Sequence, residues 1–158
     1  MEPDKVELEA AESATQSCPP CPRRQVRSLI LHLLYAADAF EYEASIEGLA
    51  DQFNRGFDTD IPREGEVVTT VKAIVENRKK YDEFLIPLLS NWRLERIGCC
   101  TRLVLHLALW ELMETDTPAT IILNEAIELA KCFSEKDAYK FVNGVLDKAV
   151  RQLGRDVQ

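Results

Sequence analysis

Long apolar runs are missing from this 158-residue sequence. The longest, Leu103 to Met113, is interrupted by His106 and Glu111 and falls well short of the roughly 20 apolar residues that span a bilayer. The N-terminus is acidic and has no apolar stretch, so no secretory signal is read there and the expected compartment is the cytoplasm. Glycine is scarce at six residues, while 46% of the chain is hydrophobic and 29% charged. That mixture excludes fibrous and disordered classes and fits one folded domain with a real core. Cations are outnumbered, 19 Lys and Arg against 27 Asp and Glu, for a net charge of −8. A general polyanion binder is therefore excluded, because phosphate binding requires clustered cations. Residues 1–22 hold five acids (Glu2, Asp4, Glu7, Glu9, Glu12) and one base (Lys5), −4 in all. The remainder is less acidic than the total implies, which leaves room for a local basic patch.

Histidine is scarcer still. His32 and His106 are the only two, each in an apolar helical stretch without a partner at ligand spacing, so a core or interface role outweighs that of a base. Gly-rich phosphate loops, GxSxG and HExxH motifs are all absent. Glu125 and Glu128, three apart, resemble half of a di-iron carboxylate set, but such sites also need histidines on partner helices. No catalytic set assembles and no cofactor or metal is expected. Five cysteines are too few and too unevenly placed for a disulfide framework, and free thiols are expected. Cys18-Pro19-Pro20-Cys21 has the spacing of half a zinc site, but a structural site needs four ligands. It reads as an incidental feature of the tail, and Cys99, Cys100 and Cys132 read as small core hydrophobes.

What is present is helical periodicity. Residues 1–22, with three prolines near the end, read as a disordered leader, and 155–158 as a short tail; the domain expected between them is 23–154. Val26, Leu29, Ile30, Leu33, Leu34, Ala37 and Phe40 recur on one helical face. A shorter helix carries Ile46, Leu49, Ala50 and Phe53, and Asn54 to Arg63 reads as loop. One long helix is predicted from Val67 to Leu89, kinked or ended by Pro87, then a turn-like piece around Leu94 and Ile97. Cys99 to Met113 is apolar nearly all round, the mark of a buried central helix. Asp116-Thr117-Pro118 ends it, and a further helix covers about Ala119 to Phe133. Ser134 and Asp137 have a spacing close to a capping box for the last helix, which Gly154 stops. The expected fold class is all-α, with six to seven helices.

Arg23, Arg24 and Arg27 open the first helix. Cations there oppose the helix dipole at about a few tenths of a kcal/mol each, so clustering three of them suggests an external anion. Near the other end, Lys136, Tyr139, Lys140 and Phe141 mix cations with rings, a combination suited to single-stranded RNA. For the arginines the plainer alternative is a solvated helix start. Phe141 also fits the core stripe.

The run Asn124-Glu125-Ala126-Ile127-Glu128-Leu129-Ala130-Lys131, Phe133, and Lys140-Phe141-Val142-Asn143-Gly144-Val145-Leu146-Asp147-Lys148 closely resembles the signature of the NusB family. Asn91-Trp92-Arg93-Leu94-Glu95-Arg96, the Leu103 to Leu112 segment and Leu33-Leu34-Tyr35 are similar to its central and first helices, so the resemblance covers about Arg23 to Leu153. It implies two small helical bundles packed together. It also implies an RNA-binding transcription antitermination factor that, with the small-subunit ribosomal protein NusE, binds boxA-type RNA in nascent ribosomal transcripts and supports read-through by RNA polymerase. By position, Arg23, Arg24 and Arg27 match an RNA-contacting segment, and Asp137, Lys140 and Phe141 a second RNA-facing cluster. Tyr35 matches a position on the NusE face. Thr101 matches another partner position, one where the family usually carries an acid. The acidic leader is an extension beyond the family's usual start and a candidate competitor with RNA for the arginines. The alternative function is a protein-interaction module or homodimer with little intrinsic RNA affinity. NusB-like domains also occur fused to RNA methyltransferases, but no nucleotide-binding glycine loop supports that reading.

Overall fold

A computed structural model describes residues 22–155; residues 1–21 of the expected 1–22 leader, with the CPPC motif, and residues 156–158 lie outside the described residues, while Pro22 opens the first helix. Seven α-helices occupy them: α1 (Pro22–Ala39), α2 (Ile46–Phe57), α3 (Glu66–Glu76), α4 (Arg78–Leu85), α5 (Cys99–Glu114), α6 (Ala119–Phe133) and α7 (Ala138–Gln152). Two short 3-10 turns, Ile86–Leu88 and Leu94–Arg96, link α4 to α5. No strand occurs among the described residues, so the all-α expectation is borne out.

The central helix is α5. Ten of its sixteen residues are buried, including Leu103, Val104, Leu105, Leu107, Leu109 and Leu112, because it is apolar on every side and finds neighbours on every side. α1 crosses from α2 and α3 onto α5, while α6 and α7 cover its other flank. Side-chain pairs fix the directions. Arg27 meets Glu111 and Asp38 meets Cys99, so α1 and α5 are antiparallel. Arg24 meets Glu125 and the ring of His32 meets Phe133, so α1 and α6 run the same way.

Three boundaries depart from the sequence reading. The stretch expected as one long helix divides at Asn77, whose Nδ2 donates to the Ala73 carbonyl at 2.8 Å; side-chain competition of this kind ends a helix. α2 extends to Phe57, beyond the expected loop start at Asn54, and closes on Asp58 in the left-handed conformation (φ 52). Asn54 then organises the loop, accepting from Ile61 N and Thr59 Oγ1 at 2.8 Å and donating to the Ile61 carbonyl at 3.0 Å. The capping box expected at Ser134 and Asp137 is not formed. Asp137 has φ 67 and makes no cap hydrogen bond, while the Ser134 hydroxyl is buried without a partner among the described residues. Gly154 does stop α7, with φ 68. Beyond it Arg155, expected to begin a tail, instead donates to the carbonyls of Leu112 (2.8 Å), Thr115 (2.9 Å) and Thr117, bracing the corner between α5 and α6.

The cysteines on α5 and α6 are not core residues. Cys99 is exposed and Cys100 half-buried, both free thiols, whereas half-buried Cys132 is disulfide-bonded, so the free-thiol expectation fails there. The start of α5 and the end of α6 lie at the surface, where the bundle no longer encloses them.

Candidate nucleic-acid interface

The three arginines of α1 are brought to one end of the bundle, but each meets a carboxylate from a distant part of the chain. Arg23 Nη1 lies 2.7 Å from Glu66 Oε1, with both side chains exposed. Arg24 forms a two-point pair with Glu125, Nε and Nη2 each at 3.0 Å. The hydrogen bond from Arg24 holds the Glu125 carboxyl below its ordinary range. Arg27 turns inward instead: its side chain is only 8% exposed and its Nε and Nη2 reach Glu111 Oε1 at 3.0 and 2.8 Å. A charge on the face of α1 that packs on α5 is tolerated because Glu111 neutralises it there. The placement of Arg27 in an RNA-contacting surface is thus corrected, since its cation faces the core, whereas Arg23 and Arg24 stay at the surface.

Asp137, Lys140 and Phe141 lie at the start of α7, at the opposite end of α5. Thr101 stands ten residues before Glu111 on that helix, so the two clusters are about 15 Å apart along its axis at a rise of 1.5 Å per residue. Here the chain folds tightly. Ala138 N donates to the Glu135 carbonyl at 3.0 Å and Lys140 N to that of Asp137 at 3.1 Å. Asp137 takes the left-handed conformation that aspartate tolerates better than most residues. The turn presses on Gly98: a Cβ there would sit 3.2 Å from Glu135 Oε1, so glycine admits the close approach. Between turn and connector lies an open cleft of about 320 Å³ lined by Trp92, Arg96, Glu135, Lys136, Asp137 and Phe141. Phe141 is half-buried, its inner edge against the core and its ring 5.9 Å from that of Trp92, edge to face. It therefore belongs to the core boundary and to the cleft at once. Lys140 is exposed, 3.7 Å from Asp137.

Sequence reasoning read the connector from Asn91 to Arg96 as a turn and as part of the family resemblance, but not as a site. Trp92 is 58% exposed, and beside it Arg93 and Arg96 line a second open hollow with Asn91. Arg93, Arg96 and Lys136 form no ion pair or side-chain hydrogen bond among the described residues. The signal was legible as a tryptophan interleaved with arginines, but the segment carries no helical period to draw attention to it.

The two residues expected on a partner face separate. Tyr35 is 53% exposed and borders an apolar hollow of about 210 Å³ with Leu31, His32, Cys100, Leu103 and Phe133. Thr101 is buried in the first turn of α5 beneath Gly98, so a direct partner contact through its side chain is corrected to a packing position under the cleft. His32 is packed between Phe53 and Phe133, with centroids at 5.4 and 5.0 Å, and burial lowers its pKa below 6.5. Phe57, stacked on Phe53 at 4.6 Å, continues this aromatic strip into solvent. His106 is buried, its Nε2 2.7 Å from Asp82 Oδ1. Burial pushes the Asp82 carboxyl up, but the hydrogen bonds from His106 and Arg102 outweigh it and hold the group below its ordinary value. No cluster of residues suited to a metal ion occurs among the described residues, and none of their helices is long and apolar enough to cross a membrane.

The family model described as "NusB family" matches residues 24–151. The chain is 36% identical over 135 residues to the transcription antitermination protein NusB of Anaeromyxobacter dehalogenans, covering 83% of this chain and 92% of the relative. It is 38% identical over 138 residues to that of Psychromonas ingrahamii, covering 85% and 91%. Among solved structures, T. maritima NusB superposes with a TM-score of 0.71 at 29% identity, covering 85% of this chain and 94% of that one.

Proposed function

The chain belongs to the NusB family of transcription antitermination proteins, and from that premise we propose that it binds boxA-type single-stranded RNA together with NusE. In this reading it acts within an antitermination complex on RNA polymerase in the cytoplasm, as a binding protein rather than an enzyme. The observation that carries the RNA part is the cleft at the start of α7, where a half-exposed ring, Phe141, shares the lining with the cations Arg96 and Lys136, and exposed Lys140 precedes it in the chain. Stacking rings with cations for the backbone is the chemistry that holds unpaired RNA. Arg23 and Arg24 supply a second contact region, their guanidiniums exchanging Glu66 and Glu125 for phosphate. The hollow beside Tyr35 is the proposed seat of NusE, because it offers apolar area and a largely exposed ring.

A second reading, a protein-interaction module or homodimer with little RNA affinity of its own, is favoured by one observation: the α1 arginines are already held by carboxylates. Titrating labelled boxA RNA with and without NusE separates the two. The expected result is binding that tightens strongly with NusE and weakens on Arg23→Glu or Lys140→Glu. Absence of RNA binding under both conditions overturns the proposal.

A further inference from the structure

We propose that the connector from Asn91 to Arg96 is a second wall of the RNA site, with Trp92 as a platform for one unpaired base and Arg93 and Arg96 as phosphate contacts. This rests on the RNA function proposed for the chain and extends it to residues outside both clusters that carry it.

Trp92 is 58% exposed, an unusual state for a residue whose burial removes so much apolar area. Its ring is nevertheless held, edge to face with Phe141 at 5.9 Å. That separation leaves no room for a base between the rings, so a base stacks on the open side of Trp92. A fixed but uncovered ring suits stacking, because its orientation is settled before the base arrives.

The charges around it are arranged for the same purpose. The two arginines of α1 at the surface are engaged by Glu66 and Glu125, and Lys140 lies beside Asp137. Arg93 and Arg96 are instead exposed and without an acidic partner among the described residues. In a protein of net charge −8, what sets these two guanidiniums apart is that they stand on the same short connector as an exposed tryptophan. Both border one hollow with Trp92, and Arg96 and Trp92 also line the cleft that Phe141 enters. A strand lying in the cleft thus passes Trp92 and meets the two guanidiniums on leaving. A base on a ring with cations for the adjoining phosphates is the combination that binds single strands with little sequence preference.

The test uses the full chain with NusE and a fluorescent boxA RNA, comparing wild type, Trp92→Ala, Trp92→Phe and the double variant Arg93→Gln with Arg96→Gln. Circular dichroism melts verify the fold: the arginine variants should melt like wild type, and Trp92→Ala should lose only the contribution of its contact with Phe141. Trp92→Ala should weaken binding on the order of tenfold, the usual loss when a stacking ring is removed, and Trp92→Phe should recover most of it. The double arginine variant should reduce the slope of log affinity against log salt by about 0.7 for each phosphate that is no longer neutralised. RNA should also quench the emission of Trp92, a change absent from Trp92→Phe, which keeps only the half-buried Trp110.

If wild type binds RNA and weakens on Arg23→Glu, yet all connector variants bind like wild type, this proposal is wrong and the RNA reading stands. Connector variants that lose NusE but keep RNA affinity also overturn it, making the connector a protein contact. A wild-type chain that binds no RNA with NusE present overturns both.

Discussion

Arg27 and Glu111, 84 residues apart in the chain, form a buried two-point ion pair at 2.8–3.0 Å that ties α1 to the central helix α5. The pair converts an arginine that belongs, by sequence, to a surface cluster into part of the interior. It leaves Arg23 and Arg24 as the α1 arginines at the surface, where they pair with Glu66 and Glu125.

Removing one member leaves the other as an uncompensated buried charge. Arg27→Ala should cost about 3–5 kcal/mol, read as a fall in melting temperature of about 2–4 °C for each kcal/mol in a chain of this size. Replacing both, as Arg27→Met with Glu111→Leu, should cost much less and leave RNA affinity unchanged. A folded double variant that loses RNA binding would restore Arg27 to the interface.

Phe141 divides its surface between core and cleft. Phe141→Ala should weaken RNA binding by about 1–3 kcal/mol if the ring stacks on a base. Phe141→Leu should recover the melting temperature without recovering affinity. Recovery of both by leucine would show that packing alone explains the residue.

Burial between Phe53 and Phe133 makes His32 refuse a proton that it accepts when unfolded. Above pH about 6.5, the ordinary value for histidine, the ring is neutral in both states and folding is indifferent to it. As pH falls below that value the unfolded chain gains a proton and the folded one does not, so stability drops. The decline levels off once pH passes below the lowered pKa of the folded state. Chemical denaturation from pH 7.5 to 5 should show His32→Phe losing less stability than wild type; an equal decline in both would contradict this.

Arg155 caps the last turn of α5 from beyond the end of α7, donating to three carbonyls between Leu112 and Thr117. Arg155→Ala should leave those half-buried acceptors to water and cost about 1–3 kcal/mol. Amide exchange should accelerate locally at the corner from Glu114 to Ala119. Unchanged exchange there would mean that the corner holds itself.

The seven helices follow from local chemistry, and most of them are legible without a structure. Apolar residues at three- and four-residue intervals mark α1, α2, α6 and α7, continuous apolarity marks α5, and Gly154 marks an end. The Asn124–Lys148 motif is likewise a property of the linear chain, and it identified the family. Errors appear where a side chain competes with its own backbone, as Asn77 does in dividing α3 from α4.

What the helical period cannot report is the neighbour. Arg23 and Arg27 are four apart and share a helix face by sequence, yet one pairs at the surface with Glu66 and the other inside with Glu111. Both partners lie more than forty residues away. The same holds for Trp92, unremarkable in a short connector until folding sets it against Phe141, and for Thr101, which Gly98 covers. Helices, their apolar faces and the family are thus properties of the linear chain, because each depends on residues a few positions apart. Which charges are neutralised and which rings stay uncovered depends instead on side chains brought close by packing between distant segments, and that is a property of the folded molecule alone.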